Sequence, residues 1–312
     1  MIRVQFVLIG LITLVCICVI SLSVIIGHLL PYDDEILLSA SLNGDDFEIY
    51  RMLLSRSLMV PLTHNDSNDT QPTWSSDGQQ IAFVNSLASH YRIFIMDAQG
   101  GNVHRLTDSL EDEHGPAWSP DGRFIAYENL IYRFSSQIVM TDLQSNKLTR
   151  LTGADSGSNT AAWSVDSHFV AYASDPNKAG NDDIYTVDVR NGAIRPLIDD
   201  EAFEANPAWS PDGRYLSYTS QSLDPHIYLW DRTQAKSILL YEPLIPFAFI
   251  PSAPKWSPNS RFLVYTMGKL TTSAIYQLDV DACLQSAAYC VPKLLTPKVG
   301  SYADPEWRPH QP

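Results

Sequence analysis

The chain has 312 residues, a formal net charge of −14 and a pI near 4.8; that balance repels phosphate backbones and excludes nucleic acid as a partner. Its 15 glycines and 20 prolines suit many tight turns and are too few for a disordered chain. One repetitive domain and one anchor account for the whole length.

Val4 to Leu30 is a run without a charged residue. As a helix rising ~1.5 Å per residue it is about 40 Å long, enough to cross a bilayer with some tilt. Arg3 precedes it and Asp33, Asp34 and Glu35 follow. Residues 1–3 are therefore expected in the cytoplasm, 4–30 in the membrane, 31–35 as a linker, and 36–312 outside as the folded domain. A cleaved signal peptide, with Ser21-Leu22-Ser23 as its small-x-small site, is the second reading and would give a secreted protein. The apolar run continues past that site, which favours the single-pass anchor. Cys16 and Cys18 lie inside the run and lack the preceding small residue of a lipoprotein site.

From Glu35 the pattern changes to short apolar runs. Glu35–Ala40, Asp46–Met52 and Leu58–Thr63 read as the second, third and fourth strands of a unit with no first strand. The first full unit opens at Pro72-Thr73-Trp74-Ser75-Ser76-Asp77-Gly78. The same words return as Gly115-Pro116-Ala117-Trp118-Ser119-Pro120-Asp121-Gly122 and Pro207-Ala208-Trp209-Ser210-Pro211-Asp212-Gly213. Looser copies are Trp163-Ser164-Val165-Asp166-Ser167 and Trp256-Ser257-Pro258-Asn259-Ser260, and Pro305-Glu306-Trp307 stands alone at the end. The tryptophans step by 44, 45, 46, 47 and 51 residues, a period that points to propeller blades. Each unit reads as strand, Ser-Pro-Asp-Gly turn, strand, link, strand, hairpin, strand. The orphan first strand at 305–307 completes the three strands at 36–63, so the ring closes with six blades and hides its edges. A tryptophan repeated in every blade reads as packing rather than as a stacking platform for a sugar or base.

The fifth complete unit departs from the pattern. Cys283 and Cys290 bracket an enlarged hairpin loop and are expected to form a local disulfide, which suits an oxidising compartment. Ahead of that unit, Leu244 to Pro251 is an apolar loop that either packs across a blade edge or is exposed as a contact.

These units resemble the WD40-like PD40 repeat of the TolB-type β-propellers; Arg92-Ile93-Phe94-Ile95-Met96-Asp97 through Leu106-Thr107 follows the tail of that pattern. The resemblance covers roughly residues 36–309. It implies an all-β, six-bladed β-propeller, here preceded by one transmembrane helix. TolB itself carries an α/β domain before the propeller. This chain has no room for one, so no partner is carried over.

If the inner strands start at one face, the links between blades share that face, and it collects carboxylates. The candidate ligand-binding residues are Glu111, Asp112, Glu113, Asp199, Asp200, Glu201, Glu204 and Asp304. Two readings stand: a solvated acidic rim, or a site for a cationic ligand, either a basic peptide on a partner protein or Ca²⁺. His64, His90, His114 and His226 share the face without metal-ligand spacing, and no metal ligand is assigned. The sequence has no Gly-x-Ser-x-Gly elbow, His-Glu-x-x-His or phosphate-binding glycine loop. The expected function is therefore a membrane-anchored extracytoplasmic scaffold that binds a protein or ligand, and no catalytic residue is assigned. The alternative is a propeller enzyme with a metal in its channel, lactonase-like or hydrolase-like.

Overall fold

The computed structural model describes residues 34–309 apart from 45, 88–89, 133–134, 155–156, 178–179, 201, 222–224, 244–249, 270–271, 287–289 and 298–299. The expected membrane segment 4–30 lies outside them, as do residues 1–3, most of the linker and the apolar loop at 244–249. Among the described residues no helix is long and apolar enough to cross a membrane.

The described chain forms six antiparallel sheets of four strands each, a six-bladed propeller. Five blades are continuous in sequence, and their inner strands are Asp69–Trp74, Asp112–Trp118, Asn159–Trp163, Glu204–Trp209 and Ile250–Trp256; we number them blades 1 to 5. The closing blade joins both ends of the described chain. Its inner strand, Ser301–Trp307, pairs antiparallel with Glu35–Ser41, setting Trp307 opposite Ile36 and Tyr302 opposite Ala40. Arg308 fastens the seam, its backbone N–H donating to the Glu35 carbonyl at 3.0 Å and its guanidinium to the Glu35 carboxylate at 3.1 Å. The first strand starts at Glu35, so the propeller takes in part of the expected linker.

The core lies between blades. Each of the six apolar clusters spans two neighbours; Val84 and Ile93 of blade 1, for example, pack on Ile125, Tyr127 and Val139 of blade 2. The ring is thus stabilised by its interfaces, and no blade buries its apolar faces alone.

The turn after the tryptophan is self-bracing in blades 1 to 5. In blade 2 the Ser119 hydroxyl donates to Asp121 at 2.5 Å and accepts from the Phe124 N–H at 2.9 Å, while Asp121 accepts from the Arg123 N–H at 3.0 Å. Gly122 takes a φ of 72°, in the left-handed region that glycine reaches without a Cβ clash. Arg123 lies over the Phe124 ring and pairs with Asp142 at 2.7 Å. Blade 5 repeats this with Arg261, Phe262 and Asp279. In blade 5 Asp279 also accepts from the Ala282 N–H at 3.2 Å, capping a short helix, α1 (Val280–Gln285), where the sequence reading expected a loop. Aspartate is a favoured N-cap because its carboxylate accepts an orphan N–H of the first turn. Cys283, in α1, is disulfide-bonded to Cys290, and it packs with Leu240 on the outer strand of blade 4.

Candidate functional site

The inner strands line a central channel, and one backbone irregularity shapes it. The residue three places before each tryptophan is left-handed: Gln71, Gly115, Thr160, Asn206, Ala253 and Asp304 have φ between 50° and 56°. The pairing register shifts there in every blade, as at a β-bulge, which bends a strand and re-aims its side chains. In each blade but the third a proline follows, where it stiffens the bend.

Two cavities occupy the channel. The one at the turn face, about 400 Å³, is lined by all six tryptophans. Its walls are mostly apolar, with Pro120, Pro211, Pro258 and Pro309 beside the rings. The Trp163 and Trp256 indoles donate to the carbonyls of Ala117 and Ala208 in the preceding blades, at 3.0 and 3.1 Å. These two indoles therefore tie blade to blade, whereas the buried N–H groups of Trp74, Trp118, Trp209 and Trp307 find no partner and those rings act by packing. The second cavity, about 230 Å³, lies toward the opposite mouth among the left-handed residues.

Lys255 and Glu306 line both cavities and were not singled out by the sequence reading. They stand immediately before their tryptophans, with Nζ 3.7 Å from Oε2. The position before the tryptophan reads Thr73, Ala117, Ala162, Ala208, Lys255, Glu306, and that break in a row of small residues was the available signal. Burial raises the Glu306 carboxyl above the usual carboxylate range, and Lys255 partly offsets this. Asp304 is raised for the same reasons. Its carboxylate accepts from the Ser39 hydroxyl at 3.0 Å and the Gln71 N–H at 3.1 Å, and the Gln71 side chain accepts from the Gly115 N–H at 2.7 Å. A hydrogen-bonded arc thus runs along the channel wall from the closing blade to blade 2.

The other candidate carboxylates divide by burial. Glu111, Asp199 and Asp200 are exposed. Asp112 is half-buried and pairs with Arg92 at 3.0 Å and with His90 at 3.2 Å. Glu113 and Glu204 are fully buried, and both stand on inner strands rather than on links. Glu113 accepts from the Ile93 N–H at 3.1 Å and from the Thr107 hydroxyl. Glu204 accepts from the Ser220 hydroxyl at 3.1 Å, and burial with the nearby Asp200 charge pushes its carboxyl up to about 8. Glu201 lies outside the described residues. The structure therefore does not gather the eight candidates at one place: some stand on the rim, two are in the packing, and Asp304 is in the channel. Among the described residues no three histidine, cysteine or carboxylate side chains already converge on a metal-sized point.

The sequence profile of the TolB beta propeller domain matches residues 81–240 and 131–311. TolB from Acinetobacter baumannii superposes with a TM-score of 0.75 at 18% identity, over 89% of this chain and 67% of that one. A puromycin-hydrolyzing peptidase of Mycobacterium tuberculosis gives a TM-score of 0.61 at 14% identity, over 83% of this chain and 43% of that one. The curated protein YuxL of Bacillus subtilis (strain 168), described as an uncharacterized peptidase, is 38% identical over 50 residues, which span 16% of this chain and 8% of that protein. At these identities the solved structures speak to the fold alone.

Proposed function

This chain belongs to the TolB beta propeller family, and from that premise we propose that it is a membrane-anchored, extracytoplasmic scaffold that binds a partner protein or basic peptide. The observation that supports this most is the contrast between the channel mouths. The turn-face end is lined by a tryptophan from every blade, whereas the opposite end presents a different residue in each blade, four of them polar (Gln71, Thr160, Asn206 and Asp304), and the exposed carboxylates Glu111, Asp199 and Asp200 stand at or just before the starts of inner strands. A mouth of one charge sign raises the local concentration of an oppositely charged partner and speeds its arrival. The anchor in this reading is 4–30, with residues 1–3 in the cytoplasm.

The peptidase names among the similar proteins do not extend to this chain, which spans 43% of one and 8% of the other. A channel-metal enzyme is the weaker reading, because the described residues hold no converged ligand set.

Membranes from the source cells, solubilised and passed over the immobilised full chain, should yield a partner with a basic surface. Replacing Glu111, Asp199 and Glu201 by their amides should weaken its binding and flatten its salt dependence without changing the melting temperature. An affinity and salt slope unchanged by the triple variant would overturn the rim as the docking surface. Protease access to the propeller only from the cytoplasmic side would overturn the topology.

A further inference from the structure

We propose that the channel holds a small-molecule site for a free apolar α-amino acid, with Lys255 and Glu306 taking its two charged groups and the tryptophan-lined cavity taking its side chain. That cavity measures about 400 Å³, within the ~300–1,000 Å³ of small-molecule sites, which are mostly apolar with a few converging polar groups. Among the described residues lining it, Lys255 and Glu306 carry the only charges. Both also line the second cavity, so they stand at the neck where the two cavities meet.

The repeat supplies an internal control. In blades 1 to 4 the residue before the tryptophan is small: Thr73, Ala117, Ala162 and Ala208. Packing against the ring therefore needs no charge at this position. Only blade 5 and the closing blade, which are neighbours, place a base and an acid there. A partly desolvated ion pair seldom stabilises a fold more than apolar residues of the same size, so closure of the ring does not explain the pair.

Nor is the pair closed on itself. Nζ and Oε2 are 3.7 Å apart, longer than a charge-assisted hydrogen bond of ~2.7–2.9 Å. The two side chains are 34% and 23% exposed, into the cavities they line. Among the described residues neither head group has a hydrogen bond or a second ion-pair partner. An ammonium has three donors and a carboxylate accepts at both oxygens, so most of their bonding capacity is unused. Burial also disfavours the Glu306 charge, and Lys255 offsets this only in part; a second cation would complete the compensation.

The complementary ligand carries an anion and a cation close together and no net charge. An α-amino acid does: its carboxylate accepts from Lys255 Nζ while its ammonium donates to Glu306. An organic acid would set its anion against Glu306, and an amine would set its cation against Lys255. Blades 2 and 3 stand opposite the charged pair in a six-bladed ring, and there Ala117 and Ala162 leave room for an apolar side chain among the indoles.

L-leucine added to the intact chain should change the tryptophan emission saturably, because six of the rings line the cavity. Isocaproate, which lacks the ammonium, and isoamylamine, which lacks the carboxylate, should each bind roughly tenfold or more weakly, as expected for losing one hydrogen-bonded charge. E306Q should reduce leucine to the affinity of isocaproate, and K255M should reduce it to that of isoamylamine, with unchanged melting temperatures as the check on folding. If either variant fails to fold, the comparison of the three ligands on the wild-type chain decides. The proposal falls if neither L-leucine nor L-phenylalanine binds the wild-type chain. It falls equally if isocaproate or isoamylamine binds as tightly as leucine, or if folded K255M and E306Q bind leucine as the wild type does.

Discussion

At the tryptophan end of the inner strands the blades make similar contacts: a ring packed in the channel wall in all six, and a serine bracing the turn in blades 1 to 5. Three residues earlier the backbone still repeats and the side chains do not. Gln71, Gly115, Thr160, Asn206, Ala253 and Asp304 share one left-handed conformation and no common chemistry. A feature repeated around the ring has to satisfy the same interface in each blade, so it reports on stability. The bulge holds its side chains toward the channel while leaving their identity free, so variation there is where binding specificity can reside.

The largest test of this contrast removes both ends from one blade. Ending the chain at Pro297 deletes Ser301–Trp307, and with it Trp307, Glu306 and Asp304. Edge groups of the closing blade and of its neighbours are then exposed. The cooperative thermal transition should disappear by circular dichroism. A truncated chain that melts like the intact one would show that closure contributes nothing.

Within one strand, W163A and T160G separate the two ends. W163A empties a buried ring site and breaks the bond to the Ala117 carbonyl, and should cost about 3–5 kcal/mol in urea unfolding. T160G relieves a left-handed threonine and should stay within about 1 kcal/mol of wild type. Equal losses from both variants would erase the distinction.

The starting end also holds carboxyls that resist ionisation. Burial, reinforced by the Asp182 charge and opposed by a Ser136 hydrogen bond, raises Glu128 to about 7. The folded chain therefore keeps a proton that the unfolded chain has released. This contribution to stability is full below the ordinary glutamate value and is lost as pH rises through about 7. We expect a loss on the order of 1–2 kcal/mol, smaller than the full shift implies because water reaches part of the side chain. Urea midpoints measured between roughly pH 5 and pH 8 should fall in wild type and stay flatter in E128Q; parallel profiles would remove Glu128 from the account.

The turn end was legible because its cause is local. Trp, Ser, Asp and Gly are required there by ring packing, by a side-chain brace and by positive φ, and the orphan Trp307 made closure readable as well. The starting end was less legible because its backbone selects no residue type: Gln, Gly, Thr, Asn, Ala and Asp all adopt the same bend. Glu113 and Glu204 were read as rim groups because they adjoin acidic links, yet each has already entered a strand and faces a neighbouring blade. Lys255 and Glu306 are distant in sequence, and only ring closure brings them to one wall.

The smallest effect tests whether the looser turns are weak copies. Ser167 and Ser260, with φ of 57° and 59°, stand where Gly122 and Gly213 stand in their neighbours. A left-handed serine costs about 1 kcal/mol relative to glycine. Here, however, each hydroxyl accepts an N–H from the turn of the preceding blade, Asp121 to Ser167 at 3.1 Å and Asp212 to Ser260 at 3.0 Å. Such a bond contributes about 1 kcal/mol, so S167G should leave stability within about 0.5 kcal/mol of wild type. S167A keeps the strain and loses the bond, and should cost about 1 kcal/mol. If S167G stabilises the fold by the full glycine advantage, the hydroxyl ties nothing, and the serine turns are only imperfect versions of the glycine ones. If S167A loses stability and S167G does not, the departures from the repeat at this end are links between blades, and even the irregular turns belong to the packing side of the contrast.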